Sequence, residues 1–160
     1  MIKVLFVCHG NICRSPMAEF VFKDMVKQRG LTDVFSIASS ATSREEIGNP
    51  VHYGTKNKLR EFRINVEGKY AVQLCREDGN HFDFIIGMEQ RNVVNILKII
   101  GKDSKSKVCR LLDFTDRPRD ISDPWYTGDF DITYQDVYEG CNALLRECDQ
   151  ILKEKENKWI

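Results

Sequence analysis

The sequence has no net charge, no long apolar run and no paired cysteine spacing, and each absence excludes a class of protein. Lysine plus arginine and aspartate plus glutamate both number 24. No overall field therefore attracts nucleic acid or an anionic membrane, and any anion site must be local. No apolar stretch approaches the roughly 20 residues of a membrane helix, and the run Ile2–Val7 is too short for a secretion signal. We expect a cytoplasmic protein that binds neither nucleic acid nor a membrane.

The cysteines also exclude two kinds of structural stabilisation. They are scattered along the chain, at Cys8, Cys13, Cys75, Cys109, Cys141 and Cys148. This pattern has neither the paired spacing of a zinc site nor the density of a disulfide scaffold. Reduced thiols are expected, with no metal. A chain of 160 residues that is 42% hydrophobic and 30% charged can form one domain, over residues 1–160, with a sizeable core.

Apolar strands alternate with amphipathic helices along the chain. Nearly continuous apolar runs predict four strands, over Ile2–Val7, Val34–Ser39, Phe82–Ile86 and Val108–Leu112. Helical spacing of apolar residues predicts helices between Ser15 and Gly30, over Val51–Phe62, over Gln90–Ile100 and over Tyr134 to about Lys153. The alternation predicts an α/β fold of three layers, a four-stranded open parallel sheet with helices on both faces. Ligand sites of such sheets lie beyond the carboxyl ends of the strands.

Two helix starts can be assigned from residue types. Ser15 is expected to cap the first helix, with Pro16 at its first position and Gly30 as its stop. Thr133 with Asp136 resembles a capping box at the start of the last helix. These residues should mark the boundaries of the two helices.

The stretch VCHGNICRSP, residues 7–16, lies between the first strand and the first helix. Backbone N–H groups in the first turn of a helix are free to bind an anion. Gly10 permits close backbone approach and Asn11 tolerates left-handed geometry, so successive N–H groups can curl around an anion. Arg14 adds a planar guanidinium suited to two phosphate oxygens. We predict a phosphate-binding loop after the first strand.

Cys8 would lie beneath that anion. The helix N-terminus, the loop N–H groups and Arg14 all favour thiolate over thiol, and Ser15 is close enough in sequence to donate a hydrogen bond to it. Alone, Cys8 would be interpreted as an inert core residue and Ser15-Pro16 as a helix start. Their combination predicts a nucleophile. A nucleotide loop would end in Gly-Lys-Ser/Thr, and a dinucleotide site would have three spaced glycines, and both are absent.

Four motifs resemble the low-molecular-weight protein tyrosine phosphatases. They are VCHGNICRSPMAE at the N-terminus, SSATS at 39–43, FDFIIGMEQRN at 82–92 and SDPWYTG at 122–128. The resemblance covers essentially the whole chain and implies metal-independent hydrolysis of phosphotyrosine through a cysteinyl-phosphate intermediate, without a cofactor. It implies that Cys8 is the nucleophile, that Arg14 binds the phosphoryl oxygens and that Asp123 is the general acid. It also implies that Asn11 and Ser15 shape the loop and support the thiolate. From the residues alone, other aspartates compete for that last role: Asp116, Asp120, Asp129 and Asp131.

Substrate contacts are predicted from the rest of the loop and from the neighbours of the acid. The residues are His9, Gly10, Asn11, Ile12, Cys13, Ser15, Trp125 and Tyr126. Trp125 and Tyr126 are expected to wall a slot that admits a phenyl ring and excludes the shorter phosphoserine. His9, Glu45 and Lys69 depart from the residues usual in the family, which bears on peptide preference rather than on the reaction.

Other functions of the same scaffold or loop remain as alternatives. An arsenate reductase needs a further cysteine pair, but Cys75 has no near neighbour, while Cys141 and Cys148 lie on the apolar stripe of the last helix. A protein arginine phosphatase tends to carry threonine where this chain has Ile12. A non-catalytic phosphate-binding module would need neither a thiolate nor an acid. A phosphatase therefore remains the main interpretation, acting as a monomer on tyrosine-phosphorylated proteins or peptides.

Cys13 lies in the same loop as Cys8, so their sulfurs should approach each other. One interpretation is a small residue that fills the loop. The other is a protective thiol, because a thiolate such as Cys8 is prone to oxidation to sulfenic acid, which a neighbouring thiol can capture as a reducible disulfide.

Overall fold

The computed structural model describes residues 1–158, so the last two residues of the predicted domain lie outside the described part. The strands are β1 (Ile2–Cys8), β2 (Phe35–Ala41), β3 (Phe84–Gly87) and β4 (Lys107–Arg110). They pair in parallel in the order β2-β1-β3-β4. Each overlaps a predicted strand, and the predicted four-stranded parallel sheet is confirmed.

The first four helices of the described part lie between these strands, and the last two follow β4. They are α1 (Arg14–Gln28), α2 (Tyr53–Arg60), α3 (Asp78–His81), α4 (Gln90–Ile100), α5 (Pro124–Thr127) and α6 (Phe130–Asn157). Single 3-10 turns occur at Thr32–Val34 and Leu111–Phe114. α4 has its predicted bounds, whereas α3 and α5 were not predicted because one turn shows no periodicity. No helix within residues 1–158 is long and apolar enough to cross a membrane.

The sheet is covered on both faces, as the alternation of side chains along β1 requires. Val4 and Phe6 join one apolar cluster, which contains side chains of α1 and α6. Leu5 and Val7 join the other, which contains side chains of α4. Two clusters on opposite faces give the three layers that were predicted.

The first helix begins earlier than predicted. α1 starts at Arg14, and the flanking residue Cys13 makes no side-chain capping bond. The prediction that Ser15 caps this helix is wrong. Ser15 lies inside the first turn, and its hydroxyl is 3.0 Å from the sulfur of Cys8. The hydroxyl that a capping serine would use for the helix N-terminus instead contacts Cys8 at the end of β1.

The last helix also begins earlier. Asp129 caps α6 by accepting a hydrogen bond of 3.0 Å from the N–H of Ile132. The predicted capping box of Thr133 and Asp136 is wrong. Thr133 is buried in the first turn and donates to the carbonyl of Asp129 at 3.1 Å, while Asp136 accepts from Arg119. Asp129 is preferred as the cap because its carboxylate also interacts favourably with the positive end of the helix dipole.

The order of the strands places a crevice at the end of β1. The chain passes from β1 to β2 on one side and later to β3 on the other. In open parallel sheets, ligands bind where the strand order reverses in this way, outside the carboxyl ends of the strands. Cys8 is the last residue of β1, and the loop that follows it lies at this point.

Candidate active site

The loop between β1 and α1 is held open by hydrogen bonds on its outer side. The carbonyl of His9 accepts from the N–H of Ser43 at 3.0 Å. The carbonyl of Ile12 accepts from the N–H of His52 at 2.9 Å, and that of Cys13 accepts from the hydroxyl of Thr55 at 3.0 Å. Three carbonyls of the loop therefore face outward.

The inner side of the loop is lined by N–H groups for the same reason. No peptide bond within residues 1–158 is cis, and in a trans peptide the N–H points opposite to the preceding carbonyl. The N–H groups of Gly10, Cys13 and Arg14 therefore face inward. Asn11 completes the curl with a left-handed φ of 57°. Such a nest of N–H groups binds an anion.

Cys8 lies at the bottom of this nest, 3% exposed. Its sulfur is approached by the N–H of Asn11 at 3.3 Å, the N–H of Ser15 at 3.4 Å and the hydroxyl of Ser15 at 3.0 Å. Ser15 Oγ accepts a bond from Asn11 Nδ2 at 2.8 Å, and its own hydrogen can be donated to the sulfur or to the carbonyl of Ser40 at 3.5 Å. Two backbone N–H groups and one hydroxyl are thus directed at one sulfur.

Asn11 holds this arrangement from below. Its Nδ2 donates to Ser15 Oγ and, at 2.9 Å, to Ser39 Oγ, while its Oδ1 accepts from the N–H of Val72 at 3.2 Å. Asn11 and Ser15 are fully buried and do not line the cavity above the loop. Both were predicted to shape the loop and were also counted among the substrate-binding residues; the structure places them beneath the loop, against Cys8 rather than in the cavity.

An ion pair between buried Glu19 and partly buried Lys69 anchors the far end of the same network. Ser39 Oγ donates to Glu19 Oε1 at 2.5 Å, and Lys69 Nζ donates to the carbonyl of Ser39 at 2.7 Å and lies 3.6 Å from Glu19. Burial lowers the pKa of Lys69, and the carboxylate of Glu19 opposes that change. Glu19 and Lys69 thus fix Ser39, and through it Asn11.

Arg14 lies at the side of the nest with its side chain 2% exposed. Its NH1 donates to the carbonyl of Ile121 at 2.9 Å and to Glu89 at 3.2 Å, and its NH2 donates to Asp123 at 3.3 Å. These partners fix the plane of the guanidinium. They also bring Asp123, which is remote in sequence, to the loop.

Asp123 is held at the N-terminus of α5. Its Oδ1 accepts from the N–H of Trp125 at 3.0 Å, and Pro124 occupies the first helical position. Its other oxygen contacts Arg14, and a quarter of the side chain remains exposed. Three of the competing aspartates have other partners: Asp120 contacts Arg110, Asp131 contacts Lys58, and Asp129 accepts from the N–H of Ile132. The carboxyl of Asp123 is thus placed between the guanidinium and the cavity.

One cavity unites these groups. It is lined by Cys8, His9, Gly10, Ile12, Cys13, Arg14, Glu45, Glu46, Asp123, Trp125 and Tyr126. Apart from Asn11 and Ser15, every predicted site residue therefore lines it. Trp125 and Tyr126 are largely exposed and stand at its mouth.

An aromatic contact that the sequence did not suggest positions the cavity wall. The ring of His52 stacks on Phe130 at 5.4 Å and meets Trp125 edge-on at 5.6 Å. Gly54 makes this approach possible, because a Cβ there would lie 2.2 Å from the ring of Phe130. No motif marks His52 or Gly54, since their role depends on packing between α2 and α6.

The cysteines differ sharply in environment, and all six are free. Cys13 lines the cavity, and burial raises its pKa to about 12, with the charges of Cys8 and Asp123 adding to the rise. Burial within α6 also raises the pKa of Cys141 and Cys148. Cys75 is exposed. In residues 1–158, His, Cys, Asp and Glu side chains form no group of three that could hold a metal ion.

Glu46 and Glu89 were missed by sequence reasoning, although each had a weak signal. Glu89 lies within FDFIIGMEQRN, one of the motifs that carry the resemblance, but nothing local suggested that it contacts Arg14. Glu46 follows Glu45, which departs from the residue usual in the family. Both reach the site from loops after other strands, so no sequence spacing relates them to Cys8.

Known proteins are similar to this chain over nearly its whole length. The family model of low molecular weight phosphotyrosine protein phosphatases matches residues 3–158. The chain is 40% identical to the low molecular weight protein-tyrosine-phosphatase YfkJ of Bacillus subtilis, over 98% of this chain and 99% of that protein. The crystal structure of YfkJ superimposes with a TM-score of 0.89, covering 94% of this chain and 96% of that one.

Two further solved structures are similar over most of both chains. SP-PTP, a low molecular weight protein tyrosine phosphatase from Streptococcus pyogenes, is 44% identical, with a TM-score of 0.82 and coverage of 92% of this chain and 93% of that one. DARP, a drosophila arginine phosphatase, is 25% identical, with a TM-score of 0.85 and coverage of 91% and 97%.

Proposed function

The chain belongs to the low molecular weight phosphotyrosine protein phosphatase family and is a protein-tyrosine-phosphatase, and we propose that Cys8, Arg14 and Asp123 carry out its reaction. The observation that supports this assignment is their convergence in one cavity. At the floor of the cavity the sulfur of Cys8 accepts from two backbone N–H groups and lies 3.0 Å from the hydroxyl of Ser15, and Arg14 and Asp123 are in contact beside it.

The first step is transfer of the phosphoryl group to sulfur. The phosphate of the substrate enters the nest, where inward N–H groups and Arg14 bind its non-bridging oxygens. The thiolate of Cys8 attacks phosphorus from below as the bond to the phenolic oxygen breaks. Arg14 must exchange its hydrogen bond to Asp123 for one to the phosphate. A cysteinyl phosphate forms, and the phenolic oxygen leaves with a proton as a phenol.

Asp123 completes the chemistry from the opposite side. Tyrosine is a poor leaving group because its phenol has a pKa of about 10, so its oxygen must be protonated as it departs. The carboxyl of Asp123 gives this proton and becomes a carboxylate. It then takes a proton from water, which attacks phosphorus and releases inorganic phosphate and the thiolate of Cys8.

Substitution of the nucleophile tests this proposal. Cys8→Ser should abolish hydrolysis of an aryl phosphate in the presence of a metal chelator, because a serine hydroxyl is not ionised at neutral pH. Cys75→Ser is the matched control, since Cys75 is exposed and lies outside the cavity. Wild-type activity in Cys8→Ser, or a strict need for a divalent metal, would refute the mechanism.

Two alternatives on the same scaffold have less support. The similarity to DARP makes arginine phosphatase activity an alternative. However, Ile12 lines the cavity at a position where arginine phosphatases tend to carry threonine. Arsenate reduction needs mobile partner thiols, whereas Cys141 and Cys148 are fully buried in α6. Hydrolysis of phosphoarginine faster than of phosphotyrosine, or thioredoxin-dependent turnover of arsenate, would favour these alternatives.

We also infer the setting in which the enzyme works. The proposed catalytic groups all come from one chain, which supports a monomer that uses residues 1–160 as a single domain. The free thiols, and a nucleophile that must remain reduced, support a cytoplasmic location. Sedimentation at micromolar concentration and cell fractionation would test these two inferences.

A further inference from the structure

One side of the cavity mouth carries two carboxylates that the reaction does not use. Glu45 and Glu46 line the cavity together with Cys8, Arg14 and Asp123. The phosphate of a substrate is itself negative, so two further negative charges beside it weaken its binding by Coulomb repulsion. The repulsion is removed if the substrate supplies positive charge of its own.

Glu46 lies against the loop itself. A Cβ placed on Gly10 would be 3.3 Å from Glu46 Cγ. Its carboxylate accepts from Asn49 Nδ2 at 2.6 Å, which holds it in place without neutralising its charge. The field of this charge reaches the nest, since it contributes to the raised pKa of Cys13, behind burial and the charges of Cys8 and Asp123.

Glu45 stands further out, with 70% of its side chain exposed. Its carboxylate lies 3.0 Å from Nε2 of His9, a loop residue that also lines the cavity. This contact fixes the carboxylate at the mouth, where a residue next to the phosphotyrosine of a bound peptide would pass.

The nearby arginines do not cancel these charges. Arg14 is buried and is used by the phosphate. Arg44 directs its Nε to Gln73 at 2.9 Å and does not line the cavity. Arg91 lines an adjoining cavity on the side of Asp123, where the carboxylates of Glu89 and Asp120 accompany it. The mouth is therefore acidic around a site for an anion.

We propose that Glu45 and Glu46 determine specificity by selecting phosphotyrosine residues flanked by lysine or arginine in the substrate protein. This inference rests on the proposed function of the same site and adds the class of peptide that it accepts. A flanking ammonium or guanidinium pairs with the glutamates as the phosphate enters the nest, whereas a flanking carboxylate meets repulsion from both.

The test compares phosphotyrosyl peptides that are identical except for lysine or glutamate on both sides of the phosphotyrosine. At low ionic strength the wild type should hydrolyse the lysine peptide with a kcat/KM roughly tenfold above that of the glutamate peptide. In the double variant Glu45→Gln with Glu46→Gln, the ratio should fall to about twofold. Salt at about 0.5 M should reduce the wild-type ratio similarly, because it screens exposed charges.

Glu147→Gln is the matched control. Glu147 is an exposed residue of α6. Its neighbour Cys148 is close to Asp83, which precedes β3 and so lies at the amino-terminal ends of the strands, away from the cavity. This variant should keep the wild-type ratio. Equal kcat/KM for both peptides in the wild type, or a ratio that survives the double substitution and high salt, would overturn the inference.

An aryl phosphate without a peptide distinguishes this failure from failure of the proposed function. If the aryl phosphate is hydrolysed while the two peptides are treated alike, only the specificity inference is wrong. If the aryl phosphate is not hydrolysed at all, the proposed function fails and the inference fails with it.

Discussion

Replacing Asp123 by asparagine separates the role of its proton from the role of its position. Asparagine has nearly the same shape and can still accept the bond of 3.0 Å from the N–H of Trp125. It is also a good N-cap, so α5 should remain intact. What it loses is the ability to give a proton to the leaving oxygen, and the negative charge that lies 3.3 Å from Arg14 NH2.

These two losses have opposite effects of different size. General acid catalysis contributes about 10²–10⁴-fold, so kcat for phenyl phosphate should fall by about that factor. A nitrophenyl ester, whose leaving group is far less basic, should slow by about tenfold or less. Removing a competing charge from Arg14 frees the guanidinium for phosphate. In a solvent-accessible site this is worth about 1 kcal/mol, so inorganic phosphate should inhibit the variant about fivefold more strongly.

The assay measures kcat for a series of aryl phosphates and the inhibition constant of phosphate for wild type and variant. Asp116→Asn is the matched control, because Asp116 is an exposed aspartate of the same long connection between β4 and α5. The control should leave every value unchanged. If Asp123→Asn slowed the phenyl and nitrophenyl esters by the same factor, Asp123 would not be the general acid.

Two further predictions concern a thiol and a helix. Cys13→Ser should keep most of its phosphatase activity but recover poorly with dithiothreitol after peroxide treatment, because no thiol then captures the sulfenic acid of Cys8 as a disulfide. Equal recovery, or peptide mapping that joins Cys8 to another cysteine, would leave Cys13 as loop filler. Gly140→Ala should destabilise the fold by about 1–3 kcal/mol in urea denaturation, because its Cβ would lie 2.5 Å from the side chain of buried Leu111. Higher stability in this variant would mean that Leu111 can move and that helix propensity dominates.

The part of the site that the sequence predicted well is contiguous. Cys8, Gly10 and Arg14 follow one another between a strand and a helix, so their geometry depends on backbone conformation over a few residues. The overall architecture was predictable for a similar reason. Buried parallel strands and amphipathic helices have different apolar periods, and their alternation leaves few topologies.

Helix starts were less predictable because several residues compete for them. Ser15 and Thr133 each have the side chain of a cap, but tertiary contacts gave them other partners, and each helix begins earlier. Asp123 is a similar case. Several aspartates in the same connection have the same chemistry, and only the resemblance to a family distinguished Asp123 before the structure placed it against Arg14.

By itself, then, the sequence determined the parallel α/β fold and the loop that joins Cys8 to Arg14, because backbone geometry and apolar periodicity act between near neighbours. Only the tertiary structure decided which distant groups surround that loop. The pairing of Glu89 with Arg14, the position of Glu46 against Gly10 and the anchor of Glu19 with Lys69 each join separate segments of the chain. Such contacts depend on how the layers pack around the sheet, and no local propensity specifies them.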